Sequence, residues 1–135
     1  MRRIHLLFLL VIPLLLGPAC KKNNAEPPEA NLAVSLNPDP GNSVVPALSD
    51  SYGFKLIISS IPPKNGVSIN ISVTKDLDNS SVSSQVTETS SSSITSVDLQ
   101  VNSLQLGLLY LVKLDITSKT TPTNKASLSF KVARK

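Results

Sequence analysis

From Leu32 to the C-terminus, apolar residues recur at every second position in short runs, each closed by turn-forming residues. Leu32, Val34 and Leu36 alternate with small residues before Asn37-Pro38-Asp39-Pro40-Gly41 turns the chain. Tyr52, Phe54, Leu56 and Ile58 make the next inward set, ended by Ile61-Pro62-Pro63-Lys64-Asn65-Gly66, where proline cannot donate to a central ladder. Val67, Ile69, Ile71 and Val73 alternate with Ser68, Asn70, Ser72 and Thr74, the clearest strand of all. A period of two is the spacing of a strand with one buried face, and it recurs here without a convincing helical stretch.

The later part of the chain continues the pattern. Asp76-Leu77-Asp78-Asn79 reads as a turn, followed by a weak edge strand near Val82 to Glu88 and a serine tract, Ser90 to Ser93, that reads as a flexible loop. Val97, Leu99 and Val101 form another strand, with Ile94 out of phase, the place for a bulge. Leu108, Tyr110, Val112, Leu114 and Ile116 give a long inward face, and Leu128, Phe130 and Val132 close the domain. About seven strands in roughly a hundred residues predict an all-β domain over 32–135, two antiparallel sheets packed face to face.

Upstream the pattern is different. Met1-Arg2-Arg3 is a short basic head, and Ile4 to Leu16 is almost purely aliphatic, broken only by His5 and Pro13. That run falls short of the roughly 20 apolar residues of a membrane-spanning helix and fits the apolar region of a signal peptide over 1–19. Residues 20–31 are polar, with Pro27-Pro28 among them, and read as a flexible tether that lifts the domain from its point of attachment.

Composition narrows the chemistry. Without Arg2 and Arg3 the formal charge falls from +4 to +2, with the remaining cations scattered, which gives no reason to expect nucleic acid as partner. From Cys20 onward there is no His, Met or Trp, and Cys20 is the only cysteine of the chain. A Ser-His-Asp or Cys-His site, a histidine metal site and an internal disulfide are therefore all excluded, and the fold must rest on its apolar core.

Leu16-Gly17-Pro18-Ala19-Cys20 resembles a bacterial lipobox, in which a leader peptidase cuts before a cysteine that carries diacylglycerol. Ala19 and Cys20 match, whereas Gly17 stands where Leu, Val or Ile is usual and Pro18 is uncommon. The resemblance implies lipid attachment at Cys20 and a membrane as partner. Lys21 follows it, not the aspartate that resembles an inner-membrane retention signal, which favours the outer membrane of the cell envelope. Ordinary secretion is the rival reading, because Gly17-x-Ala19 also satisfies the small-x-small rule.

A second resemblance lies in Leu104-Gln105-Leu106-Gly107-Leu108-Leu109-Tyr110. It is similar to the approach to strand F in fibronectin type III and related immunoglobulin-like domains, whose pattern is Leu-x-Pro-Gly-Thr-x-Tyr. Leu104, Gly107 and Tyr110 match in place; Leu106 replaces Pro, Leu108 replaces Thr, and the strand-B tryptophan is missing. The resemblance implies an immunoglobulin-like β-sandwich with Tyr110 as a tyrosine corner, its hydroxyl bonded to backbone a few residues upstream.

Other motifs read as structure. Ser72-Val73-Thr74-Lys75 spells S-x-x-K, but a strand points Ser72 and Lys75 to opposite faces, and no companion S-D-N or K-T-G exists. Asp39, Asp76, Asp78 and Asn79 are too few for a calcium loop and read as solvated turn residues. No metal, cofactor or catalytic group is expected. The sequence thus predicts a non-catalytic, lipid-anchored binding or spacer module for a protein or glycan; the alternative is an accessory subunit of a surface complex assembled by edge-strand pairing. Leu109 and Leu111 are the candidate partner face, pointing outward among Ser68, Asn70, Ser72, Ser127, Ser129 and Lys131.

Overall fold

Alternation along each run decides which side chains face inward, and the computed structural model, which describes residues 27–89 and 91–135, arranges the runs as eight strands. These are β1 (Val34–Asn37), β2 (Val44–Ala47), β3 (Tyr52–Ile58), β4 (Val67–Lys75), β5 (Ser81–Glu88), β6 (Ser96–Val101), β7 (Leu109–Ser118) and β8 (Lys125–Arg134). One sheet has three strands in the order β1-β3-β6, the other five in the order β2-β8-β7-β4-β5. All neighbours run antiparallel except β2, which pairs parallel to β8. Among the described residues there is no helix, and the fold is all-β.

The core lies between the sheets. Phe54, Leu56, Ile58, Leu99 and Val101 from the smaller sheet meet Ile69, Ile71, Val112, Leu114 and Val132 from the larger one, all buried. Burying a Val, Leu, Ile or Phe side chain contributes about 1.5–3 kcal/mol, so these alternating positions hold the two layers together. Tyr52, Phe54 and Phe130 form an aromatic group inside one end, with Phe54 and Phe130 edge-on at 5.2 Å between ring centroids. Burial raises the pKa of the Tyr52 phenol above its ordinary value.

Two details differ from the pattern-based expectation. The eighth strand, β2, is only four residues long: Val44 and Pro46 are exposed, Val45 is half-buried and Ala47 buried. Besides its register with Lys131 to Arg134 of β8 it turns only Val45 and Ala47 to the core, too short a run for periodicity to reveal. Ile94 does not bulge a strand; it precedes β6, its N–H directed at the Ser91 carbonyl. The irregularity lies instead where Val73 and Thr74 of β4 face Ser83 and Ser81 of β5.

The turn between β3 and β4 requires its glycine. Gly66 has φ of +77°, and a β-carbon there would lie 2.4 Å from the Thr89 carbonyl oxygen. Buried Thr89 explains the crowding: its N–H donates to the Val67 carbonyl at 2.9 Å, and the Val67 N–H donates to Thr89 Oγ1 at 3.0 Å.

Candidate interaction surface

Tyr110, near the start of β7, is fully buried. The Gln105 N–H donates to its Oη at 2.7 Å, a bond from the phenol to backbone five residues upstream. The Leu108 N–H closes a turn onto the Gln105 carbonyl at 3.3 Å, with Gly107 in its third position at φ +77°, a region that favours glycine. Leu104 is buried, and its N–H donates to the Asp50 carbonyl at 2.9 Å. Arg134 Nη1 donates to the Leu104 carbonyl at 2.7 Å, and the Gly107 N–H donates to the Arg134 carbonyl at 3.0 Å. Leu104, Gly107 and Tyr110 therefore come together as one strap that ties β7 to β8 and to the β2–β3 loop. Arg134 completes it, and no local spacing in the sequence marks that role.

Leu109 and Leu111 do lie on the outer face of the larger sheet, on either side of inward Tyr110, and both are half-buried. Of the neighbours expected, Lys131 lies beside Leu111 and the serines and Asn70 do not. Leu111 sits between Thr74 and Lys131, and Leu109 lies opposite Ala133. Ser72 and Ser129 instead flank Lys113, Asn70 and Ser127 flank Asp115, and Ser68 lies beside Thr117. The reason is the register of β4 on β7, in which Thr74 and not Ser72 lies beside Leu111. Lys131 Nζ reaches Asp76 Oδ1 at 2.9 Å, and the Asp76 N–H donates to the Leu109 carbonyl, so this ion pair runs diagonally across β7 from Leu111 to Leu109. Leu111 also lines a cleft of about 210 Å³ with Gly41 to Val44. The leucines form a partly roofed strip, not an open apolar patch.

Further along the same face, Ser127 Oγ donates to Asp115 Oδ1 at 2.6 Å, and Lys113 Nζ lies 3.4 Å from Oδ2. The hydroxyl bond, with a smaller contribution from Lys113, holds the Asp115 carboxyl below the usual carboxylate range.

The opposite end of the sandwich is built from residues far apart in sequence. Ser118 Oγ donates to Glu29 Oε2 at 3.0 Å, and Asn124 Nδ2 donates to Glu29 Oε1 at 2.6 Å. Asn124 also donates to the Ala30 carbonyl and accepts from the Leu32 N–H, each at 2.9 Å. The stretch assigned to the tether is thus fastened to the β7–β8 turn from Glu29, three residues before Leu32. Pro27, Pro28, Ile61, Pro62 and Pro63 line a mainly apolar groove of about 350 Å³ beside it.

The remaining candidates have structural partners. Asp39 Oδ1 accepts from the Gly41 N–H and Asp78 Oδ1 from the Ser80 N–H, each at 2.9 Å. The Ser80 bonds hold the Asp78 carboxyl low. Ser72 lies in register between Ser84 and Lys113, and among the described residues no three His, Cys, Asp or Glu side chains converge as a metal site. Cys20 and the leader lie outside the described residues. No protein-family model matches the chain, and no curated protein matches its sequence.

Proposed function

We propose that the chain is a lipid-anchored, non-catalytic binding or spacer domain of the bacterial cell envelope, an immunoglobulin-like sandwich that recognises a protein or glycan. The observation that carries this reading is the fastening of Glu29 to Ser118 and Asn124. It gives the segment leading back to Cys20 a defined point of departure at one end of the sandwich. Glu29 follows Cys20 by nine positions, and an extended chain covers at most about 3.5 Å per residue. A lipid on Cys20 would therefore hold that end within about 30 Å of a bilayer. The end of β8 lies at the other end, so the Tyr110 strap and the Leu109–Leu111 strip are directed away from the anchor.

The strand orders β1-β3-β6 and β2-β8-β7-β4-β5, together with the Tyr110–Gln105 bond, support the immunoglobulin-like assignment. The lack of histidine from Cys20 onward, and the engagement of Asp39, Asp76 and Asp78 in turns and an ion pair, support binding over catalysis.

Expression of the full chain in a bacterium with lipoprotein processing tests the proposal. The wild type should fractionate with outer membrane and carry an acyl mass increment on Cys20, and Cys20→Ser should remain an unprocessed precursor or be released. A soluble wild type with an unmodified Cys20 overturns the anchor. Capture of a partner that Leu111→Lys no longer retains, at near-normal stability, supports the strip as the binding face.

A further inference from the structure

A sheet edge carries unsatisfied backbone donors and acceptors, and proteins blunt such edges by shortening them or by placing proline and lysine on them. Three of the four edge strands here are treated that way. Strands β1 and β2 have four residues each, β2 with Pro46, and β6 has six with Asp98 in an ion pair to Lys55. Strand β5 is different. It is eight residues long, Ser-Val-Ser-Ser-Gln-Val-Thr-Glu, without proline, lysine or glycine. Its one irregularity, the extra residue Val82, lies at its start and leaves Ser83 to Glu88 regular, and its only charge, Glu88, sits at its end in an ion pair with Lys119.

The direction of the free backbone groups follows from the register. The Thr89 N–H donates to the Val67 carbonyl, so the pair 67/89 is hydrogen-bonded, and pairs alternate in an antiparallel ladder. Thr87 and Gln85, opposite Ile69 and Ile71, then spend their backbone groups on β4. Ser84, Val86 and Glu88 direct theirs away from it. The other side of β4 agrees: Gly66 and Asp76, of the opposite parity to Val67, bond to β7 and its flank.

We infer that β5 is a docking edge for the β5 strand of a second copy of this chain, paired antiparallel about a two-fold axis at Val86. An isologous contact must be complementary to itself. In this register Val86 meets Val86, Ser84 meets Glu88, and Gln85 meets Thr87, so no like charges oppose each other. Val86 is 64% exposed, and such pairing covers it with its own equivalent. The two five-stranded sheets would become one of ten strands. The contact is small by the standard of stable complexes, so the dimer is transient and concentration-dependent. The inference is independent of lipid at Cys20 and of any partner of Leu111.

Full-length protein with Val86→Cys, oxidised in the expressing cells, should form a disulfide dimer of twice the chain mass. Wild type, whose only cysteine is Cys20, and Leu48→Cys, exposed in the β2–β3 loop, should not. In detergent, sedimentation equilibrium should find reversible dimerisation weakened at least tenfold by Val86→Pro with unchanged melting, because the N–H removed is unused within the chain. If Val86→Pro fails to fold, Val86→Lys, which sets two like charges at the two-fold axis, carries the same test. Cross-linking no faster than in the controls overturns the proposal, as does a heavier adduct with another protein or dimerisation indifferent to both substitutions.

Discussion

The two ends of the sandwich are closed by different means. At the end where β7 begins, one buried phenol anchors a strap that starts only six residues upstream, at Leu104, and the bonds go mostly to backbone. At the end where β7 finishes, closure relies on polar side chains: Glu29, Ser118, Asn124 and Thr89, with Glu29 reaching across 89 and 95 residues of sequence. The first end is stabilised by packing and the second by hydrogen bonds. Packing of a large buried side chain is worth several times the net contribution of one hydrogen bond, so the two ends should respond unequally to substitution.

Truncation at the first end should have the largest effect. Tyr110→Ala is expected to cost about 3–5 kcal/mol in chemical denaturation, and Tyr110→Phe, which loses only the bond from Gln105, about 1 kcal/mol. An alanine variant as stable as wild type would remove the basis of the comparison. Gly66→Ala, at the second end, should follow at about 2–3 kcal/mol, since it combines a left-handed backbone with a collision against Thr89. Glu29→Ala should cost about 1–2 kcal/mol, because two donors lose a charged acceptor but can reach water. Hydrogen exchange should quicken at Leu32 and the β7–β8 turn and not at Gln105; a loss as great as that of Tyr110→Ala would invert the ranking.

The smallest effect belongs to neither end. Asp115 has a folded-state pKa below its unfolded value, so its contribution is fully present above the unfolded pKa and is lost as pH falls through the folded one. Asp115→Asn should therefore matter less at pH 2 than at pH 6, by roughly a few tenths of a kcal/mol, the scale of exposed ion pairs. Melting curves at both pH values check the sign: equal losses would mean that the carboxylate charge plays no part.

The same contrast governs how much of the molecule is legible in the sequence. Seven strands were readable because Val67 to Val73 and Tyr110 to Ile116 expose and bury alternate residues, a local pattern that survives without knowledge of partners. The Leu104–Tyr110 strap was legible in a different way, through the resemblance of Leu104, Gly107 and Tyr110 to the approach to strand F in immunoglobulin-like domains, which says nothing of Arg134. Strand β2 was not readable, since its inward residues are only Val45 and Ala47, and Val-Val-Pro-Ala is too short and too apolar throughout for a period of two to stand out. The Glu29–Asn124 fastening had no signal at all: a glutamate among prolines looks like a solvated linker until the β7–β8 turn is known to lie beside it. The outward direction of Leu109 and Leu111 followed from phase, but their roof, the Asp76–Lys131 pair, depended on a register that phase does not give.

Strand β2 also has a consequence for how the molecule bears force. The N-terminal segment leaves at one end, and β8 finishes at the other, with β2 and β8 running in the same direction. A pull between the termini, once it has passed through β1, drags β2 and β8 oppositely along a shared axis. Their rungs from Val44–Lys131 to Ala47–Arg134 are then loaded together, in shear, and cannot open one at a time like a zip. A strand of four residues would thereby take the shear load of a domain drawn taut between its two ends.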